Sequence, residues 1–524
     1  MENSSARDNS IRSAGKVSAG TLASRVLGLV REQVFAYLFG ASMAADAFIA
    51  AFRIPNLLRD MFAEGALSAA FIPTFSEKLT TSGKPEAFRI ARIVFSFLLV
   101  TVSLLVIVGM AFAPQVVNEI AGGFSDIPGK LALTTSLARI MMPFLLCVSL
   151  AALLMGILNS LGIFGIPAFA PMLLNLAMIA SGFLICPLFD PPIIGMALGV
   201  VLGGLLQFAF QYPSVRRAGF KLSLDFNFRD SDFRKILTLM IPMAIGYSAT
   251  QINVFVVTRI AAGLAQGSVS YLNYAFRLMH LPLGIFALAI ATVTLPEISR
   301  YAALKDHDSI AEAYLNSIKL GLFLVVPASM VLIFGGESII SVLFQHGRFT
   351  YADTVGASQA LAFYSIGLLS FAAIRMTVPV FYAFKETGKP ILASLASVTA
   401  NIILCYLLKD SLGFRGLALA AAIAGFLNLG ILMVMLRFRL PEIKFGSELR
   451  AFAKILIANA VLALAIIVWS KYITYDISQV GLIRRVLNLG ILLFGAISLY
   501  LALARILKIK ELAGLTRIFR RIRG

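Results

Sequence analysis

Apolar residues run in stretches of about twenty or more along most of the chain. They extend from "RIVFSFLLVTVSLLVIVGMAFAP" (92–114) to "VLNLGILLFGAISLYLALARIL" (486–507). A helix of that length crosses a hydrocarbon layer about 30 Å thick. Polar breaks divide the chain into about fourteen such spans, at approximately 17–40, 46–76, 88–114, 131–159, 165–187, 192–213, 233–263, 269–298, 311–344, 354–384, 388–408, 413–437, 449–471 and 482–507. The pattern predicts an all-α polytopic membrane protein.

Loop charge supports the count. The loop after span 2 carries Lys78, Lys84 and Arg89, and the one after span 6 carries Arg216, Arg217, Lys221, Arg229, Arg234 and Lys235. Arg437, Arg439, Lys444 and Arg450 follow span 12, and the tail "RILKIKELAGLTRIFRRIRG" is strongly basic. Loops after spans 3, 5 and 7 ("GGFSDIPGK", "DPP", "AGLAQGSVS") are poor in Lys and Arg. Basic loops stay cytoplasmic, so both termini are expected on the cytoplasmic side. Trp469, Tyr472 and Tyr475 then form an aromatic belt at the outer end of span 13.

Four matches recur in order at a steady offset. "AFRIPNLL" (51–58) pairs with "AFRLMHLP" (275–282), and Pro73 with Pro296. "GIP" (165–167) pairs with "GKP" (388–390), and "GMALGVVLGGLLQF" (195–208) with "GLALAAAIAGFLNL" (416–429). Two six-helix lobes related as parallel repeats follow, because an even number of spans returns the chain to the same membrane side. The expected divisions are a cytoplasmic N-terminal tail (1–16), an N-lobe (17–220), a C-lobe (221–440), two added helices (441–507) and a basic cytoplasmic tail (508–524).

Composition fits this class. The 524 residues are 59% hydrophobic and 14% charged, with mean hydropathy +0.89, against about 25% charged residues in soluble domains. The net charge of +19 is accounted for by basic loops, so nucleic acid is not an expected partner. Cys147, Cys186 and Cys405 all lie in apolar segments, which argues against a disulfide framework. Three histidines without a Cys/His cluster argue against structural zinc. No cofactor is expected.

Charges inside the spans change the picture. At 1.5 Å per residue, Arg25 lies roughly 12 Å and Arg31 roughly 21 Å into span 1. Arg53 lies roughly 10 Å into span 2 and Arg277 roughly 12 Å into span 8. Arg59 is nearer the cytoplasmic end, and Arg375 is deep in span 10. Such cations are expensive unless they face water, a partner or the bundle interior. Pairing with Glu32, Asp46, Asp60 or Glu64 is one explanation. The other is an anion site, since the planar guanidinium binds phosphate oxygens two at a time and stays charged. The candidate site is therefore Arg25, Arg31, Arg53, Arg59, Arg277 and Arg375, with Asp46, Glu32, Glu64 and His280 as gating or coupling groups. Pro55 should bend span 2 near Arg53. Asn175 and Asn401 are expected to make interhelical hydrogen bonds.

The motifs "SRVLGLVRE", "DAFIAAFRIPNLLRDMFAEGALSAAFIPTF", "IPAFAPMLLN", "NYAFRLMHLPLGIF", "LFQHGRFT" and "KETGKP" together resemble the MurJ (MviN) family of bacterial lipid II flippases. That family lies within the multidrug, oligosaccharidyl-lipid and polysaccharide exporter group. The resemblance covers essentially the whole chain. It implies a transporter, not an enzyme, that moves the undecaprenyl-pyrophosphate-linked peptidoglycan precursor across the bacterial inner membrane by alternating access. It further implies that Arg25, Arg31, Arg59 and Arg277 match family cavity arginines, that Arg53 falls where relatives carry a basic residue, and that Asp46 matches an important family acid. Spans 13 and 14 would form a lipid-tail groove. Membrane lipids, and the peptidoglycan synthesis and division machinery, are candidate partners.

The chain departs from the family at several positions. Glu32 replaces an Asp of some relatives, and His280 a Glu. Val257 and Cys405 stand where some members place carboxylates for sodium. Two other functions stay in view. Export of another anionic polyprenyl-linked saccharide needs the same cations. A membrane enzyme acting on polyprenyl phosphates needs clustered Asp or His to bind metal, and the sequence offers no such cluster.

Overall fold

The computed structural model describes residues 2–60, 67–443, 445–473 and 480–512. Glu64, Tyr475 and most of the basic tail lie outside the described residues, as does the Tyr472 side chain. The described chain is helical almost throughout and divides into two compact units, 1–267 and 268–524.

Unit 1 contains α1 (Glu2–Phe39), α2 (Met43–Arg59), α3 (Ser68–Thr81), α4 (Gly83–Ala111), α5 (Ala113–Ala121), α6 (Lys130–Met141), α7 (Phe144–Ser160), α8 (Gly165–Leu184), α9 (Ile193–Arg217) and α10 (Ser231–Ala262). The first sixteen residues, expected as a separate tail, enter α1 without a break from Glu2. Helix α10 belongs to this compact unit, so packing divides the chain one helix beyond the repeat boundary expected at 220/221.

Unit 2 contains α11 (Ser268–Pro282), a π-helical turn (Leu283–Ala287), α12 (Leu288–Ala303), α13 (His307–Phe334), α14 (Gly336–Phe344), α15 (Tyr351–Ile366), α16 (Leu368–Ala383), α17 (Gly388–Leu412), α18 (Phe414–Arg439), α19 (Phe445–Ile473) and α20 (Leu482–Ile506). Helices α8 and α9 pack together in unit 1, as their sequence counterparts α17 and α18 do in unit 2.

Among the described residues, ten helices are long and apolar enough to cross a membrane. There are eleven if α15 and α16, bent by 42°, form one span. The expected count of fourteen is not reached by length and composition, for three reasons. Helix α1 carries too many polar and charged residues. The second expected span includes the undescribed 61–66. Only Gln251–Ala262 of α10 is recognised as a shorter apolar helix.

Helix starts follow local chemistry. The Ser42 side chain caps α2 by accepting from the Ala45 amide, Asp230 caps α10, and Thr350 with Asp353 forms a reciprocal capping box on α15. Gly129 adopts φ 79°, a left-handed conformation that glycine takes without strain, immediately before α6. Pro55 is accommodated inside α2 and does not end it.

The core of unit 1 is rich in phenylalanine, with Phe71, Phe75, Phe88, Phe220 and Phe233 buried together. In unit 2, α19 and α20 pack on α13 through Ile455, Leu462, Leu492, Tyr500 and Phe323. The Tyr500 hydroxyl donates to the Phe323 carbonyl at 2.8 Å. The two added helices are therefore fixed to unit 2 by apolar contact and a buried hydrogen bond.

Candidate functional site: the intramembrane charges

Seven residues separate Ser24 from Arg31, nearly two full helical turns, so both lie on one face of α1. That face meets α8, and Arg31 is buried. Its guanidinium pairs with Glu32 at 2.5 Å, and one nitrogen lies 3.9 Å from the Met178 sulfur on α8. Arg25 points to another side of α1, is exposed, and has no ion pair among the described residues. The two span 1 arginines thus have different roles within the unit: one is a packed, neutralised cation and the other an accessible one.

On α2, Arg53 is half-buried and donates to the Thr258 hydroxyl of α10. Thr258 in turn donates to the Val254 carbonyl at 2.6 Å. Arg59 pairs with its neighbour Asp60 at 2.9 Å, and Asp60 also accepts from Gln251 at 3.4 Å. Pairing with nearby acids therefore accounts for Arg31 and Arg59. Arg259, in span 7, pairs with Glu119 at 2.7 Å. The α5 carboxylate offsets that charge.

Asp46 lies in the first turn of α2, where the positive end of the helix dipole favours a carboxylate. It is 1% exposed and pairs with Lys130 at 2.9 Å; Lys130 is equally buried. The same Asp46 oxygen accepts the Gly267 amide at 2.8 Å, and the Lys130 ammonium sits 4.0 Å from the Phe124 ring centroid. Sequence reasoning missed Lys130 by reading it as the end of an exposed loop. A signal was present, since it is the lone cation directly before an apolar span.

In unit 2, Arg277 is exposed on α11 and His280 is half-buried one turn later. The His280 ring nitrogen Nδ1 lies 2.9 Å from the Phe276 carbonyl. Arg375, on α16 of the same unit, is exposed as well. Among the described residues, no group of three or more His, Cys, Asp or Glu could hold a metal ion. All three cysteines are free.

Known proteins share this arrangement of helices. A solved structure titled "Lipid II flippase MurJ, inward closed conformation" superposes with TM-score 0.78 and 28% identity, covering 94% of this chain and 98% of that one. An inward-facing multidrug resistance MATE family transporter of the MOP superfamily shares the fold at TM-score 0.67 and 16% identity, covering 80% of this chain and 95% of its own. The probable lipid II flippase MurJ of Vibrio cholerae serotype O1 is 36% identical over 513 residues, 95% of this chain and 97% of its own length. The family model described as lipid II flippase MurJ matches residues 35–486. With its helical architecture and its intramembrane arginines, this chain belongs to the MurJ family of lipid II flippases.

Proposed function

We propose that this chain moves lipid II from the cytoplasmic to the periplasmic leaflet by alternating access, with its arginines receiving the pyrophosphate. The observation that carries the reading is Arg25, an exposed cation without an ion pair among the described residues, on a helix that enters the membrane. A guanidinium at that depth is tolerated where it meets water or an anion. Within unit 2, Arg277 and Arg375 are exposed cations of the same kind, and within unit 1 Arg53 and Arg59 lie on α2. Arg31 acts beside them as a neutralised pair with Glu32. Asp46 is the gating group in this reading, with Lys130 as its counter-ion. The outward faces of α19 and α20, which expose Leu456, Leu464, Ile491 and Phe494, suit the lipid tail. The peptidoglycan synthesis machinery is the natural recipient of the product.

Loop charge puts both termini on the cytoplasmic side in this reading, and two groups of contacts in unit 1 fit the alternation it assumes. Loops after spans 2 and 6 are tied together by Lys78–Asp232 at 2.8 Å, Arg89–Asp230 at 2.7 Å and Lys235–Glu77 at 2.7 Å. Segments after spans 1, 3 and 7 meet at Asp46, Lys130 and Gly267. Even-numbered and odd-numbered loops thus gather separately, as a single orientation requires.

The test is depletion of the protein followed by a leaflet assay for lipid II. Accumulation on the cytoplasmic face is expected. Unchanged distribution between the leaflets would sink the reading.

A further inference from the structure

The stretch "GTLASRVLGLVRE" places Gly20, Ser24 and Gly28 four residues apart, on one face of α1. Unit 1 packs that face closely on α8. A Cβ at Gly20 would come within 2.8 Å of the Ala168 carbonyl oxygen, so the two backbones nearly touch. A Cβ at Gly28 would lie 3.8 Å from the amide nitrogen of Asn175. Farther on, Gly182 of α8 lies against Leu38 and Val34 of α1. The contacts advance in the same direction along both helices, so α1 and α8 run parallel, as the first and fifth spans of one bundle should.

Small residues let helices approach closely but form a smooth surface. Such a surface does little to decide which residue stands opposite which. A hydrogen bond in apolar surroundings does decide it, because a slip leaves a buried donor unpaired. Asn175, 7% exposed, donates its Nδ2 to the Ser24 carbonyl at 3.1 Å. One turn farther along α8, Met178 meets the Arg31 guanidinium. Sliding α1 by one residue would shift it about 1.5 Å and turn it about 100°. Arg31 would leave Met178, and Arg25 would lose its exposed place.

We propose that Asn175 is a positioning residue for substrate binding: its amide fixes the register of α1 on α8 and so sets where Arg25 presents its charge and where the Arg31–Glu32 pair sits beside it. The inference rests on the reading that these arginines bind the anionic part of lipid II.

The test measures lipid II binding to the purified full chain in lipid nanodiscs, together with its thermal unfolding. Asn175→Leu keeps the branched shape and the number of side-chain heavy atoms, suits an apolar helix and removes the donor. It should weaken binding about tenfold, while the unfolding temperature falls by no more than one ordinary hydrogen bond accounts for. Asn175→Gln keeps the amide, and the missing Cβ at Gly28 leaves room for it, so binding should stay within about twofold of wild type. Asn175→Leu added to the Arg25→Ala/Arg31→Ala double variant should bind no more weakly than that double variant, since Asn175 acts only through the helix that carries both.

Wild-type binding by Asn175→Leu, or a full additional loss on top of the Arg25→Ala/Arg31→Ala double variant, overturns the proposal. So does failure of both Asn175→Leu and Asn175→Ala to fold, which would make the residue purely structural. If Arg25→Ala and Arg31→Ala themselves bind like wild type, the arginine reading fails and takes this inference with it. If those two lose binding while Asn175→Leu does not, the inference alone fails.

Discussion

Removing one member of a buried ion pair strands the other charge, a loss of about 3–5 kcal/mol. Lys130→Met should therefore destabilise the protein by about that amount, because Asp46 is 1% exposed and cannot turn to water. The double variant with Asp46→Asn should recover part of the loss, which thermal unfolding of the three proteins will measure. Recovery of stability without recovery of transport would separate the fold from the gate. At Arg277, exposed on α11, Ala should abolish complementation of a depletion strain and Lys should leave it partly defective. The lysine keeps the charge but loses the fork that binds two oxygens at once. Depth along a span marks Arg25, Arg31, Arg53 and Arg277 as candidates from the sequence. It could not separate Arg31, neutralised by its neighbour Glu32, from Arg25, because that difference depends on which face of α1 meets α8. Lys130 escaped for a related reason: a loop-end lysine reads alike whether it faces water or a carboxylate 84 positions earlier.

Helix α10 shows how an element depends on a loop charge. Burial works against the charge on Asp230, but the hydrogen bond from Arg89 and the amides of Phe233 and Asp232 outweigh it and hold the carboxyl below its ordinary range. A depressed carboxyl contributes stability that is complete above its unfolded value, about 3.9, and that is lost as pH falls through the lower folded value. Asp230→Ala should thus destabilise the protein by about 1 kcal/mol or more at neutral pH, as expected for a lost helix cap. Its unfolding temperature should converge with that of wild type below pH about 4. A gap that stays constant across that range would contradict the assignment of Asp230 as an ionised cap. Most helices were legible because apolar length and loop charge agree. The placement of α10 in unit 1 was not, since repeat boundaries record sequence offsets whereas compact units record packing, and the two differ by this helix.

Two predictions concern the whole molecule. Exposed Ser223 follows span 6 and exposed Ser125 follows span 3. With cytoplasmic termini, a membrane-impermeant thiol reagent on intact cells should modify Ser125→Cys and spare Ser223→Cys; the opposite pattern would invert the topology. The second prediction concerns the driving force. Val257 and Cys405 offer no carboxylate to offset a sodium ion's desolvation. Within unit 1 the Thr258 hydroxyl accepts from Arg53, and within unit 2 the Asn401 Oδ1 accepts from the Cys405 thiol at 3.8 Å. Lipid II movement should persist when choline replaces sodium at constant membrane potential, and its collapse under that exchange would reinstate sodium coupling.

The Asp46 cluster also imposes an order on synthesis. Asp46 leaves the ribosome 84 residues before Lys130 and 221 before Gly267, whose amide shares its carboxylate. At about 5–20 residues per second, the acid enters the membrane tens of seconds before that last donor exists. Over that interval the nascent chain must hold a carboxylate without its complete set of partners. A chain released before residue 267 can never assemble the cluster, so premature termination in this region should yield a protein that quality control removes and not a half-sized transporter.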